Sequence, residues 1–237
     1  MIAVMQPTYL PWIGYFSMIS MVSDFIFLND VQFSRGTWQQ RNKVLCNGQQ
    51  QWLTLPVVRE NGLNTLINQV KIFEPIKQKS LHFKVLEQAY KKAKYGDQML
   101  NMLKPIYLDE SLVHLDDFNR AIILKISSEL KLQPNFHKSS DLNLDGSRSI
   151  YLSRLIKSFG SNSYLSPLGA KEYIEEDGIL ANEQIQVKYF LGHSHPYPQH
   201  GSKSFIEYLS IVDLLANLGV DEARKYVLEF AGVMEDF

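Results

Sequence analysis

The sequence predicts an α/β protein with an open, mostly parallel sheet, an added β-hairpin, and a helical middle and C-terminal part. The first supporting observation is the order of patterns at the amino terminus. An apolar run over residues 2–5, closed by Pro7, has the length and composition of a buried strand. Residues 15–22 carry apolar side chains at helical spacing, and a second apolar run covers 25–28. Strand, helix and strand in this order form the βαβ unit of a parallel sheet.

The second observation is a β-hairpin. Residues 41–46 and 49–55 have strand composition and flank Asn47-Gly48, a pair that accepts the positive φ angles of a type I′ turn. A further strand is predicted over residues 67–73.

The third observation is helical periodicity over about residues 75–133, where the predicted helices cover 80–95, 97–108 and 112–130. Beyond this subregion the predicted elements are a helix over 147–159 that ends before Gly160, strands over 164–165 and 185–190, and helices over 205–218 and 221–230 separated by Gly219. Because nothing repeats and no flexible or charged linker divides the chain, we expect residues 1–237 to form a single α/β domain.

The composition excludes several classes of protein. The chain has 237 residues with 24 basic and 25 acidic side chains, whereas a protein that binds duplex nucleic acid normally carries a basic surplus. The single cysteine, Cys46, excludes an intrachain disulfide and a cluster of thiolate metal ligands. The amino terminus lacks the basic flank of a signal peptide, and no apolar run reaches ~18 residues. We therefore expect a cytoplasmic protein with no membrane span and no nucleic-acid partner.

The first candidate site is the loop between the first strand and its helix, where open parallel sheets bind ligands. Pro7 and Pro11 stiffen this loop, and the helix amino terminus that follows could receive a phosphate or carboxylate. The candidate binding residues are Gln6, Thr8, Tyr9, Trp12, Gly14 and Tyr15. The alternative is that the aromatic residues are core residues beneath a stiff connection.

The same loop resembles the T-x-x-P-x-H-x-G-H motif with which nucleotidylyltransferases bind phosphate. Thr8, Pro11 and Gly14 match, with the spacing between proline and glycine one residue shorter. Trp12 and Tyr15 stand where the two histidines would be, and neither side chain is cationic at neutral pH. The resemblance supports a nucleotidylyltransferase-like βαβ start, whereas a plain nucleotidylyltransferase is the least favoured function.

The second candidate site follows the second strand. Asp30 stands at the carboxyl end of that strand, where it could accept hydrogen bonds from sugar hydroxyls. Arg41 and Lys43 alternate along one predicted strand and so share a face suited to phosphate or carboxylate. Gln32 and Asn42 lie in the same two segments. A solvated polar strand face is the alternative.

The third candidate site is a turn between a strand and a helix. Ser166 begins a Ser-Pro-Leu-Gly turn, and Lys171 stands in the first turn of the helix that follows. Backbone N–H groups at such a turn can cradle an anion, and the lysine would add charge. An ordinary Ser/Pro/Gly turn is the alternative.

The fourth candidate site is a histidine-rich segment stiffened by prolines. His193 and His195 would share one face of an extended chain, but no carboxylate stands at ligand spacing nearby, so no metal site is predicted. His195 suits general acid–base chemistry, with Tyr197 and Gln199 as binding residues in the same segment. A histidine held by a backbone carbonyl is the alternative.

Together and in this order, these segments resemble the signature of the WbqC-like family over nearly the whole chain. The matching segments are Gln6-Pro-x-Tyr9-Leu-Pro-Trp-x-Gly14-Tyr-Phe16, Asp30-x-Gln32-Phe, Trp38-x-x-Arg41-Asn42-Lys43, Trp52-Leu-Thr-Leu-Pro56, Tyr164-Leu-Ser166 with Tyr173, His195-Pro-Tyr197-x-Gln199 and Leu209-Ser-Ile-Val-Asp213-Leu-Leu-x-Asn217-x-Gly219. The resemblance implies a role in the biosynthesis of O-antigen, lipopolysaccharide or other surface polysaccharides, in which an amino sugar is modified by amide formation.

The hypothesis that follows is an acyl- or aminoacyltransferase acting on a nucleotide-linked amino sugar. The amino-terminal loop with Arg41 and Lys43 would hold the pyrophosphate, Asp30 would accept sugar hydroxyls or the amine, and His195 would deprotonate the attacking amine. The acyl donor is left open between a thioester of coenzyme A or an acyl carrier protein, and ATP with magnesium. The alternative is a non-catalytic protein of the same pathway, which binds a sugar nucleotide or acts as a scaffold; the chain's 13 Phe, 12 Tyr and 3 Trp suit stacking without chemistry.

Overall fold

The protein contains a six-stranded sheet in which five neighbouring strands are parallel, so the predicted α/β class is confirmed. A computed structural model describes residues 1–192 and 194–231, and the backbone of 234–236. The sheet strands are β1 (Ile2–Met5), β2 (Asp24–Phe27), β7 (Asn135–Lys138), β8 (Ser163–Pro167), β9 (Gln186–Phe190) and β10 (Met234–Asp236). Their order is β10-β9-β8-β1-β2-β7, with β10 antiparallel to β9.

Two small antiparallel pairs stand apart from this sheet. They are the hairpin β3 (Arg41–Cys46) with β4 (Gln49–Thr54), and β5 (Val57–Val58) with β6 (Lys71–Ile72). The helices are α1 (Ile13–Ser20), α2 (Pro75–Tyr90), α3 (Gly96–Leu108), α4 (Leu115–Glu129), α5 (Arg148–Ser158), α6 (Lys171–Asp177), α7 (Ile179–Asn182) and α8 (Ile211–Phe230).

The two faces of the sheet carry separate hydrophobic cores because neighbouring side chains of a strand point to opposite faces. Ile2 and Val4 of β1 pack with the helices α5, α6 and α7. Ala3 of β1 and Phe25 of β2 pack on the other face with α1, α8 and the helices of the middle region. A ligand site at the carboxyl edge of the sheet can therefore open toward either face.

The predicted hairpin is present with the turn that its sequence indicates. Asn47 and Gly48 have φ angles of 51° and 75° and join β3 to β4 in antiparallel register. Arg41 and Lys43 lie on the same face of β3, as their alternate positions require.

Four segments differ from their sequence-based predictions. The helix predicted over 80–95 begins and ends five residues earlier, as α2, because Pro75 starts it and residues 91–95 form turns. Residues 67–73 form a short 3-10 turn, Ile67–Gln69, and the two-residue strand β6 rather than one continuous strand. The segment 205–210 is not helical, because Tyr208 has a φ of 57° and Ser210 pairs with Trp12 before α8 begins. The strand β7 is not predicted from the sequence, because it carries one aromatic residue among polar ones.

The described residues include no helix with the length and apolar character that crossing a membrane requires.

Candidate functional site

The sheet has a topological switch point between β1 and β8. From β1 the chain proceeds to β2 and then β7 on one side, and afterwards crosses to β8 and β9 on the other side. The connections on the two sides therefore run over opposite faces and leave a crevice at the carboxyl ends of β1 and β8. Ligands of open α/β sheets bind in this kind of crevice.

A cavity of about 930 Å³ occupies this position, and we call it the switch-point cavity. Its volume lies within the range of ~300–1,000 Å³ that is usual for ligand sites. The walls come from the ends of β1 and β8, the first turns of α5, the segment after β2, and α6. The lining residues are Val4, Met5, Gln6, Thr8, Leu28, Val31, Arg148, Tyr151, Leu152, Leu155, Tyr164, Pro167, Ala170, Tyr173, Glu176 and Asp177.

Arg148 supplies the cationic group of this cavity. It is the first residue of α5, and it is exposed and has a φ of 49°, a left-handed conformation that non-glycine residues rarely adopt. Among the described residues, no carboxylate forms an ion pair with its guanidinium. An unpaired guanidinium beside a helix amino terminus is suited to bind a phosphate or carboxylate.

Asp30 lies just behind the cavity wall and is held by two short hydrogen bonds. The Ser139 hydroxyl donates to its Oδ1 at 2.5 Å, and the Tyr151 hydroxyl donates to its Oδ2 at 2.5 Å. Burial, together with the neighbouring carboxylate, raises the pKa of Tyr151. Because Tyr151 lines the cavity, its phenol lies between Asp30 and the cavity space.

The opposite wall carries acidic and aromatic groups. Glu176 and Asp177 of α6 are exposed at the cavity, and Tyr164 and Tyr173 contribute rings. The cavity thus has one cation and two carboxylates at its rim, with apolar and aromatic surface between them. This arrangement suits a ligand that has an anionic group and a separate amine or polyol.

A second, smaller cavity of about 350 Å³ lies beside the first, and we call it the aromatic cavity. It is lined by Met5, Thr8, Trp12, Tyr15, Trp38, Asn42 and Tyr208. Met5 and Thr8 line both cavities, so they form the wall between them. Gly14 permits the packing of this region, since a Cβ atom there would lie 2.4 Å from the Trp12 ring.

Two cations stack on an indole next to the aromatic cavity, and we call this group the Trp52 platform. The Arg41 guanidinium lies 4.4 Å and the Lys43 ammonium 5.1 Å from the centre of the Trp52 ring. The Trp52 ring lies 5.3 Å from that of Trp38, which lines the cavity. Both indoles are more than 40% exposed, so the platform is accessible to a ligand.

The structure brings some of the predicted site residues to these cavities. Gln6 and Thr8 line the switch-point cavity, and Thr8, Trp12, Tyr15 and Asn42 line the aromatic cavity. The Gln6 side chain is fixed because its Oε1 accepts a hydrogen bond of 2.7 Å from Gln39.

Tyr9 lies elsewhere, in the core of the helical region. It is fully buried, and its hydroxyl is bonded to His82 Nδ1 at 2.9 Å and to the Tyr107 hydroxyl at 2.8 Å. Burial lowers the pKa of His82 to about 4, so this histidine is neutral at physiological pH. Tyr9 is therefore a core aromatic residue, which is the alternative that the sequence left open for this loop.

Within the described part of the chain, the hydrogen bonds and ring contacts of His195 are with Tyr226 and do not reach Asp30. His195 follows β9, and β8 and β1 lie between β9 and β2, which Asp30 follows. Its backbone N–H donates to the Tyr226 hydroxyl at 2.6 Å, and Tyr226 belongs to α8 on the opposite face from α5. The ring of Tyr226 packs on Phe230, which in turn contacts Trp12 of the amino-terminal loop, so the contacts of His195 are on the face of α8. His193 lies outside the described residues.

Tyr197 and Gln199 hold a buried carboxylate. The Tyr197 hydroxyl and Gln199 Nε2 donate to Asp213 Oδ2 at 2.8 and 2.9 Å. All three residues are buried, so this group anchors the loop after β9 to α8.

The remaining predicted residues bond to nearby groups. Gln32 donates to the Leu63 carbonyl, and Asn42 donates to the carbonyls of Tyr9 and Leu10. The Ser166 hydroxyl is fully buried and donates to the Pro167 carbonyl. Lys171 lies 3.9 Å from a Glu175 oxygen and stacks at 5.6 Å on the Tyr189 ring.

Sequence reasoning missed Arg148, Ser139 and Tyr151. A signal for Arg148 is present, because Gly146-Ser147 directly before a helix is a typical amino-terminal capping sequence, and a cation there marks an anion site. No local signal identifies Ser139 and Tyr151, which lie 109 and 121 residues from Asp30. In the described part of the chain, no three His, Cys, Asp or Glu side chains are grouped so that they could hold a metal ion.

Two comparisons with known proteins find matches that cover nearly the whole chain. The profile of the WbqC-like protein family matches residues 6–225. A protein of Mycobacterium tuberculosis (strain ATCC 25618 / H37Rv) with the name uncharacterized protein Rv1507c is 29% identical over 226 residues, which cover 95% of this chain and 96% of that protein. No solved structure matches the chain.

Proposed function

We propose that this chain, which belongs to the WbqC-like protein family, binds a nucleotide-linked amino sugar in the switch-point cavity and acylates its amine. The observation that carries the proposal is the division of charge in this cavity, with Arg148 on one wall and Asp30, Glu176 and Asp177 on or behind the others. A sugar nucleotide has the matching division, since its pyrophosphate is anionic and its amino sugar is cationic and rich in hydroxyls.

The binding mode follows from these positions. The pyrophosphate lies against Arg148 and the amino terminus of α5, where charge-assisted hydrogen bonds are available. The amino sugar extends toward Tyr151 and the carboxylates of α6, which accept hydrogen bonds from hydroxyl and ammonium groups. The rings of Tyr164 and Tyr173 provide apolar surface for the sugar.

Acyl transfer requires that the sugar ammonium lose a proton, because only the free amine has a lone pair. The ammonium gives its proton to the Tyr151 oxygen while the Tyr151 hydroxyl proton moves to Asp30 Oδ2, along the 2.5 Å hydrogen bond. The amine then attacks the acyl carbonyl carbon. A C–N bond forms, the bond from that carbon to the donor's leaving group breaks with its electron pair going to the leaving group, and the second proton lost by the nitrogen passes to that leaving group or to water.

Calorimetric titration with UDP- and dTDP-linked amino sugars tests the binding step. We expect Arg148→Gln to weaken binding about tenfold or more, because one charge-assisted phosphate contact is lost. Arg59→Gln is the matched control, since Arg59 is not among the lining residues, and its affinity should be that of the wild type. Equal affinities of the wild type and Arg148→Gln for the sugar nucleotide would show that the pyrophosphate does not bind at this wall.

Tyr151→Phe separates binding from the proton transfer. The variant should keep its affinity for the sugar nucleotide but lose about 10²–10⁴-fold in kcat for amide formation, measured by the mass gain of the sugar nucleotide with acyl-coenzyme A or with ATP, magnesium and an amino acid. Tyr173→Phe is the control, because it removes another phenol from the same cavity. A wild-type kcat in Tyr151→Phe would exclude the proton path through Asp30.

One observation favours a second candidate function, a sugar-nucleotide-binding protein without catalysis. Both Asp30 oxygens already accept internal hydrogen bonds, from Ser139 and from Tyr151. On this alternative, the wild type binds the sugar nucleotide with the same dependence on Arg148 but gives no amide product with either class of donor.

A further inference from the structure

The proposed transfer needs a second substrate, and the aromatic cavity has the position and chemistry to receive it. Its wall of Met5 and Thr8 is shared with the switch-point cavity, so ligands in the two cavities would lie on either side of the end of β1. The rings of Trp12, Trp38, Tyr15 and Tyr208 line it. Aromatic side chains of this density bind flat rings by stacking.

The Trp52 platform adds charge beside this aromatic surface. Arg41 and Lys43 reach the Trp52 ring through cation–π contacts, which leave guanidinium and ammonium N–H groups able to bind an anion. No ion pair joins either cation to a carboxylate within the described ranges. A flat ring and a phosphate could therefore be bound side by side on Trp38 and the platform.

We propose that the aromatic cavity and the Trp52 platform form a second site, which binds the nucleoside phosphate portion of the acyl donor. The base stacks against Trp38 in the cavity, and its phosphates bind Arg41 and Lys43. Two donors carry this chemistry, ATP and a coenzyme A thioester. The inference rests on the proposed transfer for the identity of the ligand, whereas binding at this site can be measured independently.

Ligand binding at the second site can be measured by tryptophan fluorescence, because the tryptophans of this chain lie there. The protein contains three tryptophans, of which Trp12 and Trp38 line the aromatic cavity and Trp52 forms the platform, whereas none lines the switch-point cavity. Stacking of a nucleobase on these indoles should quench their fluorescence. Intrinsic fluorescence therefore reports on the second site.

The experiment is a fluorescence titration of the full chain with ADP, coenzyme A, UDP and dTDP. We expect saturable quenching by ADP and coenzyme A, with an apparent Kd about tenfold higher in Arg41→Gln/Lys43→Gln. Lys84→Gln/Lys91→Gln is the control, because it removes the same charge from exposed positions of the α2 region, and its Kd should be unchanged. Thermal melting verifies folding, and the single variant Lys43→Gln gives the same test with a smaller perturbation.

Each outcome of the fluorescence titration either supports or overturns the proposed second site. Tighter binding of coenzyme A than of ADP supports the site with a thioester as donor, and equal or tighter binding of ADP supports it with ATP as donor. Absence of quenching, or quenching that is unchanged in the double variant, overturns the proposal. Quenching by UDP and dTDP alone also overturns it, because the cavity would then hold the base of the sugar nucleotide.

The Arg148→Gln variant separates this inference from the proposed function. If the sugar nucleotide does not bind the switch-point cavity but ADP still quenches in both the wild type and Arg148→Gln, the second site stands and the function proposed for the first site fails.

Discussion

Asp213 is a carboxyl group that folding removes completely from water. Its Oδ2 accepts hydrogen bonds from Tyr197 and Gln199, and the carboxyl group also interacts with the Tyr90 hydroxyl. Burial raises the pKa of Asp213, and these hydrogen bonds offset only part of that effect. Since the folded pKa lies above the unfolded value of about 3.9, folding favours the protonated form of Asp213 more than the unfolded chain does.

The pKa of Asp213 gives a prediction for stability against pH. A raised folded pKa contributes stability that is complete below the unfolded pKa and is lost as pH rises through the folded pKa. Asp213→Asn removes this titration, so we expect its free energy of unfolding to fall less than that of the wild type between acidic and neutral pH. Denaturant titrations at a series of pH values measure the difference.

Asp221→Asn provides the control for that series, because Asp221 is an exposed carboxyl on the same helix. It should keep the pH dependence of the wild type. If Asp213→Asn also keeps it, burial does not control the protonation of Asp213.

At the scale of single residues, the sequence indicates residue types but not which side of the fold they occupy. Thr8 and Trp12 reach cavities, whereas Tyr9 between them turns into the core to bond His82 and Tyr107. The two partners of Tyr9 are 73 and 98 residues away in the chain. No local pattern can report such contacts, so the Tyr9 and Trp12 side chains are equivalent candidates until the fold is known.

At the scale of elements, helix α8 contains a kink at Gly219. This residue has φ 77° and ψ 173°, a region that is essentially restricted to glycine. A Cβ atom there would also lie 2.9 Å from the Tyr95 ring, and the Tyr95 N–H bonds to the Ala216 carbonyl one turn earlier. The break that the sequence predicts at Gly219 is therefore also the place where the segment before α3 contacts α8.

We expect Gly219→Ala to destabilise the protein by about 1–3 kcal/mol, through backbone strain and contact with Tyr95. Thermal or denaturant unfolding measures this loss. Gly169→Ala is the matched control, because Gly169 has no positive φ and an added Cβ would meet nothing within 4 Å. Equal stability of the two variants would show that the kink is not under conformational constraint.

Elements with a strong local signal were predicted well from the sequence. Strands β1 and β2 are continuous apolar runs, and the Asn47-Gly48 turn specifies the hairpin. By contrast, β7 has the sequence Asn-Phe-His-Lys and acquires its strand conformation from parallel pairing with β2. The segment 205–210 has helical spacing but is held extended where Ser210 pairs with Trp12. In both cases tertiary contacts override local preference.

At the scale of the whole molecule, the strand order creates the candidate site. Strand β8 lies next to β1 in the sheet, although the paired residues Ile2 and Tyr164 are 162 residues apart in the chain. Only long-range topology therefore brings Gln6 and Pro167 to one cavity. The sequence predicts a parallel sheet and a ligand at the end of its first strand. It does not give the strand order, and therefore leaves open which loops meet there.

The same topology accounts for the separation of His195 from Asp30. Both follow parallel strands and so lie beyond the same edge of the sheet, as the sequence suggested. The order β9-β8-β1-β2 inserts two strands between them, and Tyr226 holds the His195 backbone on the face of α8. The switch-point cavity is lined by Arg148 and Tyr151 of α5 rather than by His195.

The most direct test of the central claim is a crystal structure of the protein with a UDP- or dTDP-linked amino sugar. We predict electron density in the switch-point cavity, with the pyrophosphate against Arg148 and the sugar amine facing Tyr151 and Asp30. Density for the sugar nucleotide in any other place, above all beside His195 with the switch-point cavity empty, would contradict the account.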